Sequence, residues 1–229
     1  HLRISRCATL AIGHRIRDGK TSLAIHCCHI NTLLMTDARP KIRLFVESDL
    51  NASGDVSLSR DQAHYVSRVM RQSIGAPALL FNGRDGEWLA RVSDISKSQC
   101  QLTLEIQTRD QAPEPDIWLV FAPIKKSRMD FLVEKATELG VSRLLPVFTK
   151  NTDVSRVNVA RLQATAVESA EQCERLTVPI VDEVATLENL IGGWGASRQL
   201  YFMDETGVGT PAIPAFSDEQ PDGNDAALL

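Results

Sequence analysis

The chain has 229 residues, of which 43% are hydrophobic and 24% are charged, an ordinary composition for a globular protein with one large domain or two small ones. No apolar run approaches the roughly 20 residues that a membrane helix needs, so we expect no membrane-spanning segment. The five cysteines are scattered and odd in number, which argues against a disulfide framework and for a reducing compartment.

The formal net charge of −4 hides an uneven distribution. Residues 121–161 carry eight Lys or Arg against four Asp or Glu, whereas residues 162–229 carry two Arg against twelve acidic residues. A nucleic-acid binder needs local positive charge and not a basic total. The basic stretch could therefore meet phosphates, or it could be an ordinary solvated surface.

The first 41 residues show no sustained helical or strand periodicity, and we predict that they are a non-native or disordered extension. Met35 is the expected natural start of the protein. Cys27, Cys28 and His29 lie together, but adjacent cysteines lack the spacing of a structural zinc site. No metal site is therefore expected.

Several short strands at close spacing predict a small β-barrel over residues 42–112. Ser59 is expected to cap a helix that continues to Arg71. Asn82-Gly83 is a strong turn signal between two strands. The predicted strands of this part are residues 42–46, 78–81, 88–92 and 101–107.

Strands and helices alternate after a polar linker at residues 111–115. This pattern predicts an α/β domain with a largely parallel sheet over residues 116–229. Gly140 is expected to end its first helix. The predicted strands are residues 117–122, 144–148, 178–181, 199–203 and 226–229, and the predicted helices are residues 129–139, 159–173 and 187–191.

Three motifs carry a resemblance to a known family. They are His64–Arg71 (HYVSRVMR) followed by Gly75 and the Asn82-Gly83 turn, Ala122–Val141 (APIKKSRMDFLVEKATELGV) with Pro146 downstream, and Glu168–Arg175 (ESAEQCER) leading to Pro179. In this order they resemble the RsmE family, the small-subunit ribosomal RNA uridine-N3 methyltransferases. The resemblance extends over roughly residues 42–229.

The resemblance implies a fold of the α+β and α/β classes, with a PUA-like β-barrel that helps to hold RNA, followed by a SPOUT methyltransferase domain with a trefoil knot. It also implies S-adenosyl-L-methionine as cofactor, 16S ribosomal RNA or the assembled small subunit as partner, a homodimer, and a cytoplasmic location. The family continues into a Gly-Pro-Glu-Gly-Gly loop where this sequence ends at Leu229. We therefore expect the SPOUT domain to be incomplete and this chain by itself to be inactive.

Six basic residues are candidate RNA contacts. Lys125, Lys126 and Arg128 come just after a predicted buried strand, where ligands of α/β sheets commonly bind. The other three are Arg43 on the first strand and Arg68 and Arg71 on the first helix, in a series with His64 that would share one helical face. Each of these residues could instead be a solvated surface charge.

Other candidate site residues are implied by the resemblance alone. Glu171, Gln172 and Arg175 are expected near the active site, although Glu171 and Arg175 are also spaced for a simple helical ion pair. The cofactor-binding candidates are Met203, Asp204 and Glu205 on a first loop and Leu228 at the start of a second. No residue is identified as the catalytic base.

Two other interpretations stay open. The chain could be a non-catalytic RNA-binding fragment that consists of the barrel and an incomplete α/β layer. It could also belong to a SPOUT methyltransferase that acts on another RNA, such as transfer RNA.

Overall fold

The computed structural model describes residues 40–96, 98–195, 197–203 and 226–228, so the expectations for residues 1–39 lie outside the described range. The first sheet contains β1 (Arg43–Phe45), β2 (Asp55–Ser57), β3 (Pro77–Phe81), β4 (Glu87–Ile95) and β5 (Cys100–Arg109). The second contains β6 (Ile117–Phe121), β7 (Arg143–Phe148), β8 (Ile180–Val181), β9 (Ala185–Thr186), β10 (Gln199–Tyr201) and β11 (Ala226–Leu228). The helices are α1 (Arg60–His64), α2 (Lys126–Glu138), α3 (Val159–Gln172) and α4 (Leu187–Gly192).

The first sheet has the strand order β1-β3-β4-β5-β2. Strands β1 and β3 are parallel, and the other neighbours are antiparallel. Alternate residues such as Leu44, Leu80 and Leu102 point into one core and are buried. The four predicted strands are confirmed, but β2 was missed because this three-residue strand contains a single apolar side chain, Val56, too little for a period-2 pattern.

The helix predicted from Ser59 to Arg71 is correct at its start and wrong at its end. The Ser59 hydroxyl accepts from the backbone N–H of Gln62, and the Gln62 side chain accepts from the backbone N–H of Ser59, which is a capping box. The α-helix stops at His64, and Tyr65–Val69 continue as one π-helical turn. Arg71 lies beyond both, with a left-handed φ of 51°.

The second sheet is parallel, with the strand order β10-β11-β6-β7-β8 and β9 also paired to β7. Helices α2 and α3 cover one face, where Val133 and Ala166 pack against Leu144. Helix α4 packs on the other face, against Val120 and Leu145. A sheet that is covered on both faces explains why its central strands are continuous apolar runs.

The two sheets belong to one compact unit, Pro40–Leu229. The end of α3 and the segment after it contact the edge of the first sheet that carries β1 and β3. Phe81, Ala170 and Leu176 form a buried cluster at this contact, with Phe45 packed against it. The predicted domain bounds of residues 42–112 and 116–229 stay a prediction.

Candidate functional site

The carboxyl ends of the parallel strands define the candidate site. In open α/β sheets, ligands bind in the crevice outside these ends. Strands β10, β11, β6 and β7 are consecutive neighbours in the sheet. The carboxyl ends of these strands therefore lie side by side at one edge, which we call the carboxyl edge.

Strands β10 and β11 contribute the first part of the carboxyl edge. Tyr201 is aligned with Leu228, and Leu228 is aligned with Leu119 of β6. The chain leaves β10 through Phe202 and Met203, which are 70% and 53% exposed. Of the predicted cofactor residues, the structure thus places Met203 and the backbone of Leu228 at neighbouring strand ends. Asp204 and Glu205 lie outside the described residues.

The segment after β6 contributes the second part, and it is basic. Lys125 is the N-cap of α2 and Lys126 is the first residue of that helix. These two side chains and that of Arg128 are exposed, and the first turn of α2 contains no acidic residue. A helix N-terminus carries partial positive charge. This part of the edge is therefore suited to an anionic ligand.

A cleft of about 320 Å³ lies between the segments that follow β6 and β7. Three of its four charged residues were not among the predicted site residues: Asp130, Arg156 and Arg161. The sequence did contain a signal, because Arg156 and Arg161 flank Asn158, which caps α3 after the loop that follows the buried strand β7. Only the fold brings them next to Lys126 and Asp130.

Arg68 and Arg71 are exposed near the first sheet. They do not share one α-helical face with His64, because the π-helical turn changes the number of residues per turn. Val69 and Ile74, two large apolar residues in the same segment, are 59% and 65% exposed. The two arginines are accessible to a ligand, but at a different place from the carboxyl edge.

Arg43 is buried, and its environment argues against the predicted RNA contact. Its Nε donates to Glu87 at 2.7 Å, and the two side chains are 9% and 6% exposed. Its terminal nitrogens donate to the carbonyl oxygens of Ala170 and Arg175, both at 2.8 Å. The guanidinium also lies 3.8 Å from the ring centre of Phe81. Arg43 therefore joins the first sheet to the end of α3, and few of its donors are left for a phosphate.

Glu171, Gln172 and Arg175 lie at the opposite end of α3 from the carboxyl edge. Helix α3 has 14 residues, so its two ends are about 20 Å apart. This position argues against the predicted place near the active site. The physical reason is that a helix between parallel strands runs back to the amino ends of the sheet.

Glu171 and Arg175 are each bonded to other groups and not to each other. The Glu171 carboxylate accepts from the backbone N–H of Phe45 at 2.9 Å. Arg175 pairs with Glu114 at 2.7 Å and donates to the carbonyl oxygens of Thr137 and Val141 at the end of α2. Burial raises the pKa of Glu171, and the Phe45 N–H and the charge of Arg43 oppose that effect. Both residues connect parts of the fold.

A second cavity of about 520 Å³ is lined by Trp118, Leu145, Trp194 and Arg198 on the α4 side of the sheet. The polar side-chain groups of three lining residues, Trp118, Trp194 and Arg198, are paired. The Trp118 indole N–H donates to Asp116, the Trp194 indole N–H donates to the Arg198 carbonyl oxygen, and Arg198 pairs with Asp116. This arrangement indicates packing between α4 and the sheet, and we do not assign it to the candidate site.

Neither a metal cluster nor a membrane-spanning helix occurs in the described part of the chain. No group of three or more His, Cys, Asp or Glu is placed there to hold a metal ion. None of the helices in that part has the length and apolar character needed to cross a membrane.

Two family models match the chain. Residues 111–227 match the RNA methyltransferase domain, and residues 58–105 match the RNA methyltransferase PUA domain. The first match covers more than half of the chain. The expected fold class, a PUA-like domain followed by an α/β methyltransferase fold, is confirmed.

Two curated relatives are both ribosomal RNA small subunit methyltransferases E. The protein from Rickettsia conorii is 32% identical over 150 residues, which are 65% of this chain and 62% of the relative. The protein from Synechocystis is 27% identical over 176 residues, which are 76% of this chain and 58% of the relative. The chain thus spans less than two thirds of the length of these relatives.

Solved structures show the same fold. A Legionella pneumophila protein described as a methyltransferase, solved with the cofactor SAM, superposes with a TM-score of 0.71 at 22% identity over 82% of this chain and 78% of that one. The ribosomal RNA small subunit methyltransferase E of Neisseria gonorrhoeae, bound to S-adenosyl methionine, gives 0.68 at 20% identity with the same coverage. With the RNA methyltransferase domain matched from residue 111 to residue 227, this chain belongs to the RNA methyltransferase family that includes the ribosomal RNA small subunit methyltransferases E.

Proposed function

We propose that this chain is part of a protein that carries out the S-adenosylmethionine-dependent methylation of small-subunit ribosomal RNA, with N3 of a uridine in 16S RNA as the acceptor. The observation that carries the proposal is the match of residues 111–227 to the RNA methyltransferase domain. Two curated relatives carry the name ribosomal RNA small subunit methyltransferase E. The reaction belongs in the cytoplasm, because that compartment holds the substrate.

The ends of β10 and β11 fit a cofactor with an adenine ring. Phe202 and Met203 are exposed apolar side chains directly after β10, and such side chains line most sites for small molecules. The neighbouring strand end at Leu228 provides backbone groups beside them. S-adenosylmethionine supplies an electrophilic methyl group on a sulfonium. Residues Met203, Asp204, Glu205 and Leu228 remain our proposed cofactor contacts.

The basic part of the carboxyl edge would hold the RNA next to the cofactor. Lys125, Lys126 and Arg128 are exposed cations that can contact phosphates and so fix the register of the strand. N3 of uridine lies on the pairing edge, so the base must be unpaired or turned out of its stack. Positioning the acceptor nitrogen in line with the methyl group can supply much of the rate.

Arg68 and Arg71 would give the RNA a second area of contact. Both are exposed, and the PUA domain match covers them. Contacts on both parts of the chain would extend the bound RNA beyond the reacting nucleotide. Such contacts are largely electrostatic, so they weaken with salt.

A homodimer is part of the proposal. Phe131 on α2 and Leu139 at its C-cap are 61% and 82% exposed, and large exposed apolar residues often mark a protein interface. Light scattering coupled to size-exclusion chromatography tests this point. A mass of two chains is expected, and a monomer at micromolar concentration would contradict it.

Calorimetric titration with S-adenosylmethionine tests the cofactor site. We expect binding by a protein that contains this chain and has the length of its relatives, and a loss of more than about tenfold in affinity for Met203→Glu in that protein, because a charge replaces an apolar contact. Ile180→Glu is the matched control, since Ile180 is a similarly exposed residue at the amino end of β8. The control should stay within about twofold. Absence of binding by the wild type, or equal losses in both variants, would contradict the proposed cofactor site.

Methyl transfer from labelled cofactor tests the substrate. Purified small subunits, 16S RNA and transfer RNA are compared, and the product nucleoside is identified by mass spectrometry. We expect N3-methyluridine in the ribosomal substrates alone. Labelling of transfer RNA instead would favour the alternative of a related enzyme with another RNA. RNA binding without any transfer would favour the non-catalytic alternative.

A further inference from the structure

The cleft between the segments that follow β6 and β7 contains both charges and apolar walls. Its volume of about 320 Å³ is at the lower end of the range for small-ligand pockets. The lining residues that matter for its chemistry are Ile124, Lys126, Met129, Asp130, Arg156 and Val157. It differs from the cofactor region, which the ends of β10 and β11 provide.

Asp130 has one carboxylate oxygen with a partner and one without. Its Oδ2 accepts from Arg161, which holds the side chain in place. Its Oδ1 is buried and has no hydrogen-bond partner among the described residues. A buried acceptor without a donor is costly and is rare in folded proteins. A ligand that brings an N–H group to Oδ1 would satisfy it.

The rest of the cleft limits what that ligand can be. Apolar walls at Ile124, Val157 and Met129 suit a flat, largely apolar group. Lys126 and Arg156 are exposed at the same cleft and suit an anion. A free phosphate would leave the walls uncovered and would be repelled by Asp130. A nucleotide has the three groups that the cleft suits: a base for the apolar walls, an N–H donor for Asp130, and a phosphate for the two cations.

We propose that this cleft binds one nucleotide of single-stranded RNA whose base carries an exocyclic amine, next to the uridine that is methylated. The amine donates to Oδ1 of Asp130, the base lies against the apolar walls, and Lys126 and Arg156 contact its phosphates. Uracil is disfavoured, because its single N–H is flanked by two carbonyl oxygens that would face the carboxylate. The proposal rests on the proposed function in taking RNA as the polymer and the methylated uridine as the neighbouring nucleotide.

The phosphate contact is tested by fluorescence anisotropy with labelled octamers of adenylate, cytidylate and uridylate, without cofactor. Arg156→Ala should weaken binding about fivefold and reduce the dependence on salt by about one charge. Lys150→Ala is the matched control, because Lys150 is an exposed cation of the same loop that does not line the cleft. Equal effects of the two substitutions would overturn the proposal.

The base contact is tested with Asp130→Asn, whose melting temperature is measured alongside its binding. The wild type should bind the adenylate or cytidylate octamer about fivefold more tightly than the uridylate octamer, and the variant should lose this preference. An equal loss for all three octamers would show a structural role for Asp130 and overturn the base contact. Because Arg156 is exposed, its variant remains a test even if Asp130→Asn folds poorly.

These measurements separate the proposal from the proposed methyl transfer. Oligonucleotide binding that depends on Arg156 and Asp130 in a protein that binds no S-adenosylmethionine would support the cleft and refute the transfer. If the protein binds S-adenosylmethionine and none of the substitutions changes the octamer affinities, the result would support the transfer and refute the cleft.

Discussion

Arg43 shows how one buried charge can join two parts of a molecule. It neutralises Glu87 inside the protein and donates to two carbonyl oxygens near the end of α3. Removing one partner of a buried pair leaves the other charge without compensation. We therefore predict that Arg43→Ala lowers the free energy of unfolding by about 3 kcal/mol, measured by chemical denaturation.

The control for Arg43→Ala is Arg84→Ala. Arg84 also pairs with a carboxylate at 2.7 Å, but its side chain and that of Asp49 are 51% and 81% exposed. Exposed pairs contribute about 0 to 1 kcal/mol. Similar losses for the two variants would show that burial does not determine the contribution of Arg43.

Glu171 makes the stability of the folded protein depend on pH. Burial raises its pKa in the folded protein above the ordinary value of 4.5, so the folded state binds the proton more tightly than the unfolded chain. The free energy of unfolding that this group contributes is therefore highest below pH 4.5 and falls as the pH rises through the raised pKa.

Glu171→Gln removes this titration but keeps an oxygen that can accept from the N–H of Phe45. The stability of the variant relative to the wild type should increase as the pH rises from about 4 to 7, measured by denaturation at several pH values. Glu174→Gln, at an exposed position, controls for the loss of one negative charge. A constant difference between Glu171→Gln and the wild type would contradict the predicted linkage.

At the scale of elements, two glycines allow the effect of backbone strain on stability to be distinguished from the effect of close packing. Gly86, in the turn before β4, has a φ of +75°, and a Cβ there would lie 2.2 Å from the carbonyl oxygen of Arg109. Gly75, before β3, has a φ of +85°, and a Cβ there would have no neighbouring atom within 4 Å. Both need the left-handed conformation that glycine adopts most easily.

Alanine at these two positions should therefore have different effects. Gly75→Ala is expected to lower the unfolding free energy by about 1 kcal/mol, from the left-handed conformation alone. Gly86→Ala should lower it by more than about 3 kcal/mol, because β4 and β5 must also move apart. Thermal denaturation measures both, and a smaller effect at Gly86 than at Gly75 would refute the steric explanation.

The short first helix shows where local signals compete with the fold. Its start is determined by Ser59 and Gln62, whose reciprocal hydrogen bonds need only neighbouring residues. Its end depends on Val66, which is buried in the core of the first sheet. The π-helical turn contains Val66, and the residues beyond it do not follow the α-helical period.

At the scale of the whole molecule, we predict that the two sheets unfold together. Phe81, Ala170 and Leu176 are buried between them, and Arg43 bonds across the same contact. The three tryptophans allow a test, because Trp88 lies in the first sheet, Trp118 lies in the second, and Trp194 packs against the second.

The test follows tryptophan fluorescence in two variants. Trp88→Phe reports the second sheet, and the double variant Trp118→Phe with Trp194→Phe reports the first. Each probe should show the same denaturation midpoint as circular dichroism of the same variant, as a two-state transition requires. Midpoints that differ between fluorescence and circular dichroism would show that the sheets unfold separately.

Local patterns in the sequence were enough to predict the elements and the family. The apolar runs predicted the parallel strands, the 3.6-residue period predicted α2 and α3, and the three motifs indicated an RNA methyltransferase. These features depend on residues that are near one another in the chain. Strands β2 and β9 were missed because three or two residues are too few to form a pattern.

Only the tertiary structure decided which charges are available to a ligand. In the sequence, Arg43, Arg175 and Lys126 are all simply positive charges. In the structure, Arg43 and Arg175 are buried among carbonyl and carboxylate oxygens, whereas Lys126 is exposed at the carboxyl edge. Asp130 and Arg156 are far enough apart in sequence that no motif joins them. Burial and the return path of each helix depend on contacts between distant residues, and a linear pattern does not contain that information.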